Sequence, residues 1–414
     1  MRVLLAALGS AGDVHPLLGI GLALRGRGHA VTLVTNEAFE GPARRLGLDF
    51  IALGTRADAA RMMRDPDLWH PTRGFGVIAR RVILPNVAPL YEIVARHDPT
   101  ETVVCASSVC FGARIAQERL GYRLVTHHLA PALLWSRAVP PASASPAFDR
   151  LPAPFQVGLH RLVVAVADRI LAPPVNDFRQ RLGLAPARDL LYGWCNAPER
   201  VLGLFPAWFA PPQPDWPPQV RLTGFPLFDP PDEGEADGEP LPEPGDGPAP
   251  LVFTPGSANV HARAFFAAAV EASRLLGRPA ILLTRHREQL PARLPAGVVH
   301  RDYLPLGALL PGAAALVHHG GIGTTAQGLA AGIPHLVMPM SHDQPDNAAR
   351  LRRLGVGAAL PPRRFTGRAV ADALDRLLGS EGVLERCRAL AARCDPAANI
   401  ETARAIEAAG EGSG

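Results

Sequence analysis

The hydrophobic positions of this chain fall into short unbroken runs separated by longer stretches in which apolar residues recur every three or four positions. Short apolar runs bounded by turn residues are the mark of strands buried on both faces, and the longer period is that of an amphipathic helix. Residues 3–8 form the first run, 9–13 a turn, 14–27 a helix and 30–35 a second strand, so the chain opens on a β-α-β unit. Helices over 39–46, 88–96 and 112–120 then alternate with strands over 49–53, 102–106 and 122–127, and two short strands follow at 201–208 and 220–224. A second series starts with the strand 251–254 and the helix 261–276, and continues with strands at 280–284, 298–301, 315–317 and 335–338. Helices over 324–332, 370–378 and 383–393 accompany it, and a short helix over 400–409 precedes a disordered tail. This alternation predicts an α/β protein built from two Rossmann-like domains, each an open parallel sheet with helices on both faces.

The expected boundaries follow the composition. Residues 1–228 and 250–398 form the two domains, and 399–414 a terminal helix and tail. Between them, residues 229–249 are acidic and rich in Pro and Gly, with no aromatic or β-branched residue, as in an interdomain linker. Two doubly wound domains are expected to face each other across a cleft that holds the ligands. Two apolar loops, 67–84 and 129–155, interrupt the first series and carry Trp69, Phe75, Leu134 and Trp135. Such loops at strand ends wall a ligand pocket or cap the sheet core, and the sequence weighs the two evenly.

Composition narrows the chemistry. The chain has 414 residues, 48% hydrophobic and 19% charged, which suits a soluble globular protein. Its net charge is only +4, and all 42 basic residues are arginine. Without lysine there is no Schiff base, pyridoxal phosphate site or Walker A loop, and the scattered arginines leave no nucleic-acid footprint. The five cysteines show no CxxC spacing, which fits reduced thiols in a cytoplasmic setting. The apolar start, 1–8, is too short for a signal peptide, and no run reaches the roughly 20 apolar residues of a membrane helix.

The candidate chemistry centres on residues 316–351, LVHHGGIGTTAQGLAAGIPHLVMPMSHDQPDNAARL. A strand, a turn with His318, His319, Gly320, Gly321 and Gly323, and a helix opening at Thr324 and Thr325 present free N–H groups and a positive dipole end, which suit a diphosphate. Gly256 and Ser257, in the first turn of the same domain, add to it. Across the next strand lies Ser341-His342-Asp343-Gln344, whose carboxylate and amide can bind adjacent hydroxyls, unless Asp343 merely caps the next helix. His318, His319, His335, His342 and Asp343 span two strands without ligand spacing, so no metal is expected. Asp13 stands at the end of the first strand, just ahead of the first helix, as a helix cap or as a catalytic carboxylate.

The pattern H-x-G-x-x-x-T followed by P-x-x-x-D-Q resembles the donor-binding signature of nucleotide-sugar-dependent glycosyltransferases of the two-Rossmann-domain (GT-B) kind. His319, Gly321, Thr324, Thr325, Pro339, Asp343, Gln344 and Asn347 fall on its positions, while Gln327 stands where many members carry a ribose-binding glutamate. The resemblance implies Tyr303 stacked on the base with Leu304 main-chain groups at its edge, and Asp343 and Gln344 on the donor sugar. It also implies Asp13 as the base that deprotonates the acceptor, with His15 in reserve, and inversion at the anomeric carbon. No cofactor is implied beyond the co-substrate, a dTDP- or UDP-sugar. Segments such as GSAGDVHPLLGIGLALRGRGH and LFPAWFAPPQPDWPPQVRLTGFPLFD look like rhamnosyltransferases of rhamnolipid synthesis. That likeness implies dTDP-L-rhamnose as donor and a 3-hydroxyalkanoyl lipid as acceptor, compatible with a place at the inner face of the membrane and a partner enzyme supplying the acceptor. The competing expectation is UDP-glucose with a polycyclic or phenolic aglycone. An NAD-dependent oxidoreductase is disfavoured, because the first turn reads GSAGDV in place of G-x-G-x-x-G.

Overall fold

A computed structural model describes residues 1–142, 151–229 and 247–411. The chain divides into two compact units, one made of residues 1–226 with 396–414, the other of residues 227–395. Most of the expected linker, and the tail after residue 411, lie outside the described residues.

The first unit is a seven-stranded parallel sheet: β1 (Arg2–Ala6), β2 (Ala30–Thr35), β3 (Asp49–Ala52), β4 (Thr102–Ser107), β5 (Arg123–His128), β6 (Arg200–Gly203) and β7 (Val220–Leu222). Its order is β3-β2-β1-β4-β5-β6-β7. The chain thus builds outward from β1 on one side, then returns to lay β4 on the other. This reversal opens a crevice at the carboxyl ends of β1 and β4, where ligands of open α/β sheets bind. Leu4 and Ala6 join Val34, Val104 and Leu124 in one core layer, as two-residue alternation demands.

Two elements differ from expectation. The first helix spans Ala11–Gly26 with Ser10 as its N-cap, so Asp13 lies inside the first turn, not ahead of it. A helix of 29 residues, Ala153–Arg181, fills a region where the sequence suggested no element. It buries His160, Val164, Ala167, Leu171 and Val175 on one stripe, yet exposes Phe155, Leu162, Val163 and Val166 on another. Apolar residues on both faces, and Pro173-Pro174 in its interior, hid its period.

The last helix, Ala398–Glu411, belongs to the first unit. It buries Ala403, Ala405 and Ile406, and Thr402 Oγ1 donates to Thr223 Oγ1 at 2.8 Å. Glu407 accepts from Arg27 Nε at 2.6 Å and Nη2 at 2.7 Å, and its Oε1 lies 2.6 Å from the His29 ring. That helix is therefore part of the unit's core.

The second unit is a six-stranded parallel sheet: β8 (Leu251–Thr254), β9 (Ala280–Leu283), β10 (Val298–Arg301), β11 (Ala315–His318), β12 (His335–Val337) and β13 (Gly357–Ala359). Its order, β10-β9-β8-β11-β12-β13, reverses between β8 and β11. Leu251, Phe253 and Val317 pack on one face with Phe265, Phe266, Val370 and Leu374. Val252, Ile281 and Leu316 pack on the other with Leu309 and Leu310. Both faces are covered, which accounts for the unbroken apolar runs.

Candidate active site

The turns that leave β8 and β11 stand side by side at the reversal point of the second unit, because His318 pairs with Thr254 in register. Gly256 follows β8 at φ +90°, and a Cβ there would lie 2.6 Å from His319 Cε1. A Cβ on Gly321 would lie 2.5 Å from His319 Nε2. The His319 ring therefore occupies a slot that only two bare Cα positions leave open. Its buried Nδ1 has no hydrogen-bond partner among the described residues. Burial pushes its pKa down to about 4, so the ring is neutral at pH 7.

Beyond this slot the helix Ile322–Ala331 starts at Gly321, whose missing side chain leaves the first-turn N–H groups uncapped by it. Thr325 is fully buried, its amide bonded to Gly321 O at 3.0 Å, and its hydroxyl has no partner among the described residues. A Cβ on Gly323 would meet nothing within 4 Å among the described residues. Neutral imidazole, threonine hydroxyl and helix N-terminus are groups whose chemistry suits an anion.

His318 does not join them. It is fully buried behind the turn, where its Nδ1 accepts the Gly320 N–H at 3.2 Å and its Nε2 lies 3.2 Å from His335 Nδ1. Strand alternation turns it inward, and the expectation of a diphosphate ligand at 318 is corrected accordingly. The loop after β12 is bound to the turn: Asn347 Nδ2 donates to Gly320 O at 2.9 Å and to Asp343 Oδ2 at 2.8 Å. Asp343 occupies the N-cap position of the helix Gln344–Arg353, but its side chain makes no capping bond among the described residues. Gln344 is buried and spends its carbonyl oxygen on the N–H groups of Met340 (2.9 Å) and Ser341 (3.3 Å), leaving its amide nitrogen as the end suited to a ligand. His342, beside them, holds φ +60°, an uncommon conformation for a non-glycine residue.

The remaining donor-side residues are more dispersed. Leu304 is buried in the core, and Tyr303 has the Arg285 guanidinium 5.6 Å from its ring centroid on one face. Gln327 is nearly buried and bonded to Asp229, whose Oδ2 also accepts the Gly307 N–H at 2.7 Å. Burial raises the Asp229 pKa. Ser257 is exposed.

In the first unit Asp13 sits at the β1–β4 reversal. Its Oδ2 accepts from Ser10 N–H at 2.8 Å and from Ser10 Oγ at 3.3 Å. Burial nonetheless pushes its pKa up from 3.8 to about 6, outweighing these bonds. Gly9, at φ +144°, passes so close that a Cβ would overlap the carboxylate. We expect Gly9→Ala to displace Asp13 and cost about 1–3 kcal/mol of stability, measured by urea unfolding. His15 points elsewhere, as two positions along a helix must, and packs edge-on against Phe39 with centroids 6.2 Å apart.

Phe75 and Trp135 pack against one cluster, to which the Ala153–Arg181 helix contributes Val164, Ala167, Leu171 and Val175, and Leu134 is buried. Trp69 packs against the neighbouring cluster of Met62, Leu68 and Val77. Trp135 stacks on His160 at 5.0 Å, and Tyr192 meets Trp135 edge-on at 5.9 Å. Buried atoms His160 Nε2, Tyr192 Oη and Asp168 Oδ1 lack partners among the described residues. Two π-helical turns, Ala79–Ile83 and Leu190–Trp194, border the cluster. Unsatisfied polar atoms and π turns both concentrate at functional sites. His160 and Asp168 were missed in the sequence because their helix was missed, and Tyr192 because the π turn that carries it was missed.

Comparison with known proteins fits both units. The N-terminal domain of glycosyltransferase family 28 matches residues 3–136, and the C-terminal domain of erythromycin biosynthesis protein CIII-like proteins matches residues 279–405. O-mycaminosyltylonolide 6-deoxyallosyltransferase of Streptomyces fradiae is 30% identical over 434 aligned positions, covering 94% of this chain and 93% of the relative. The chain belongs to this glycosyltransferase family. Among solved structures, the glycosyltransferase of kitacinnamycin superposes with a TM-score of 0.74 at 20% identity, covering 98% of each chain. The spinosyn rhamnosyltransferase SpnG, solved with thymidine diphosphate, gives 0.67 at 19% identity over 95% of this chain and 96% of that one. The glycosyltransferase thus has the GT-B architecture of two Rossmann-like sheets, and among its described residues no helix is long and apolar enough to cross a membrane.

Proposed function

We propose that this glycosyltransferase moves a deoxyhexosyl group from a thymidine-diphosphate sugar to a hydroxyl of a macrocyclic or polycyclic natural-product aglycone, with inversion. The observation that carries the donor half is the slot between Gly256 and Gly321, with the His319 ring inside it and an uncapped helix start beyond. The departing diphosphate gains negative charge, and His319, Thr324, Thr325 and the main chain at Gly256, Ser257 and Gly323 offer it fixed dipoles that need no reorganisation. Tyr303 and the main chain at Leu304 hold the base, Gln327 with its partner Asp229 the ribose, and Asp343 and the Gln344 amide the sugar hydroxyls. Asp13, held near pH 6 by burial, is poised to take the acceptor proton at neutral pH. Trp69, Phe75, Leu134 and Trp135, with His160, Asp168 and Tyr192, receive the aglycone.

Relatives named for macrolide and other natural-product substrates support this acceptor class, and a neighbour holding thymidine diphosphate supports the donor. The narrower reading, L-rhamnosyl transfer to a 3-hydroxyalkanoyl lipid, has no such support, nor do membrane association and a partner enzyme. Thermal shift measurements test the donor half: thymidine diphosphate at 100 times its Kd is expected to stabilise the protein by about 2.7 kcal/mol, and NAD not at all. Stabilisation by NAD alone would overturn the reading. A panel of dTDP- and UDP-sugars against polyketide aglycones and 3-hydroxyalkanoyl lipids then decides the acceptor by product mass.

A further inference from the structure

Behind the donor turn lie two histidines that touch no ligand in the mechanism above. His318 and His335 are both fully buried, on adjacent strands, with His318 Nε2 3.2 Å from His335 Nδ1. Desolvation keeps both rings neutral, so each carries one N–H. Because His318 Nδ1 accepts the Gly320 N–H at 3.2 Å, its own proton must be on Nε2. That N–H can be satisfied only by a bare Nδ1 on His335, which puts the His335 proton on Nε2, a buried atom with no partner among the described residues. The fold accepts that cost and also bares Gly328: a Cβ there would run into the His335 ring, 3.1 Å from its Nδ1.

The chain of bonds ends at the Gly320 peptide. Its N–H is held by His318, and its carbonyl accepts from Asn347 at 2.9 Å. Gly320 itself is at φ +96°, where a Cβ would lie 2.8 Å from Val337 Cγ1. The next residue, Gly321, is the N-cap of the helix whose first N–H groups are assigned to the diphosphate in the proposal above.

We propose that His335 is a positioning residue for donor binding: by accepting from His318 Nε2–H it selects the tautomer in which His318 holds the Gly320 N–H, and so sets the His319–Gly323 turn. This rests on the reading of that turn as the diphosphate site. His335→Leu leaves His318 Nε2–H without an acceptor and favours the opposite tautomer, which would turn a donor toward a donor. Thymidine diphosphate binding by calorimetry is then expected to weaken about tenfold. In His335→Gln the amide oxygen can replace Nδ1, and most of the affinity is expected to return. Gly328→Ala, whose Cβ would lie 2.4 Å from His335 Cε1, displaces the ring and is expected to weaken binding and to lower thermal stability. Equal affinity in the Leu and Gln variants, or wild-type affinity in Gly328→Ala, would overturn the proposal. A separate readout does not depend on the ligand: long-range proton–nitrogen correlation spectra of the histidine-labelled full chain should show both rings as neutral Nε2–H tautomers. An Nδ1–H form of His318 would overturn the proposal even if the turn binds diphosphate. If thymidine diphosphate fails to bind the wild-type protein, the donor reading falls, and the spectra still decide the tautomer lock.

Discussion

Asp13→Asn is expected to lower the transfer rate by about 10²–10⁴-fold while leaving the dissociation constant for thymidine diphosphate unchanged. The amide oxygen of asparagine can still accept the Ser10 N–H, so the helix start is preserved and only the ability to take a proton is lost. In the wild type the base is competent when ionised. The rate is therefore expected to fall about tenfold per pH unit below the Asp13 pKa of about 6 and to level off above it, and that limb should vanish in the variant. Stability runs in the opposite sense. A carboxyl at about 6 in the folded chain and 3.8 when unfolded favours folding fully below pH 4, and that contribution is lost as the pH rises through 6. At pH 7 the ionised group is a net cost, which asparagine removes, while the loss of negative charge from the first helical turn opposes the gain. The helix-dipole term, about 0.3–1 kcal/mol, is the smaller of the two, so the variant is expected to be at least as stable as wild type at pH 7. A variant equally impaired in nucleotide binding would count against Asp13 as the base.

What the sequence disclosed, and what it concealed, follows the range of the interactions involved. Buried parallel strands and glycine turns are written locally: the turns after β8 and β11 carry Gly256 and Gly320 at positive φ, where a Cβ would come within 3 Å of its neighbours, so the proposed diphosphate turn could be read from residue order alone. The start of the first helix was also legible, since Ser10-Ala11-Gly12-Asp13 is an S-x-x-D capping pattern, but the glycine at the second helical position obscured it. His318 and His319 look alike as neighbours in a chain. Only the strand's alternation, continued to its last residue, sends the first inward and leaves the second in the slot. The cluster around Trp135, His160 and Tyr192 was concealed for another reason. It depends on one face of the Ala153–Arg181 helix meeting the Leu190–Trp194 turn and Trp135, contacts that span tens of residues and have no local code. The role of Asn347, which ties the segment after β12 to Gly320, is likewise a tertiary fact.

His319→Ala should be as damaging as Asp13→Asn, but with a different signature. The ring fills the space between Gly256 and Gly321, and the methyl group of alanine would leave those two turns facing an unfilled gap at the anion's edge. Three consequences follow from the geometry. A neutral N–H donor to the diphosphate is lost, which alone costs about 1–3 kcal/mol because the ligand oxygen it served is buried. The turn after β8, with φ +90° at Gly256, loses its packing partner and is free to shift. The contribution to the transition state, where charge on the leaving group is highest, is lost as well, at about 2.7–4 kcal/mol for a single donor. Affinity for thymidine diphosphate is therefore expected to fall about tenfold or more, and kcat about 10²–10³-fold, so that both parameters move. The separation between the two variants is the decisive comparison. Asp13→Asn is expected to spare the nucleotide and His319→Ala is not, because the proposed roles put one residue on the acceptor proton and the other on the departing diphosphate. Retention of full nucleotide affinity in His319→Ala, measured by calorimetry at pH 7, would mean that the slot is structural and that the diphosphate binds elsewhere. The low pKa of His319, about 4, adds a control: donor affinity carried by a neutral imidazole should not change between pH 6 and 8, whereas affinity carried by an imidazolium would decline as the pH rises.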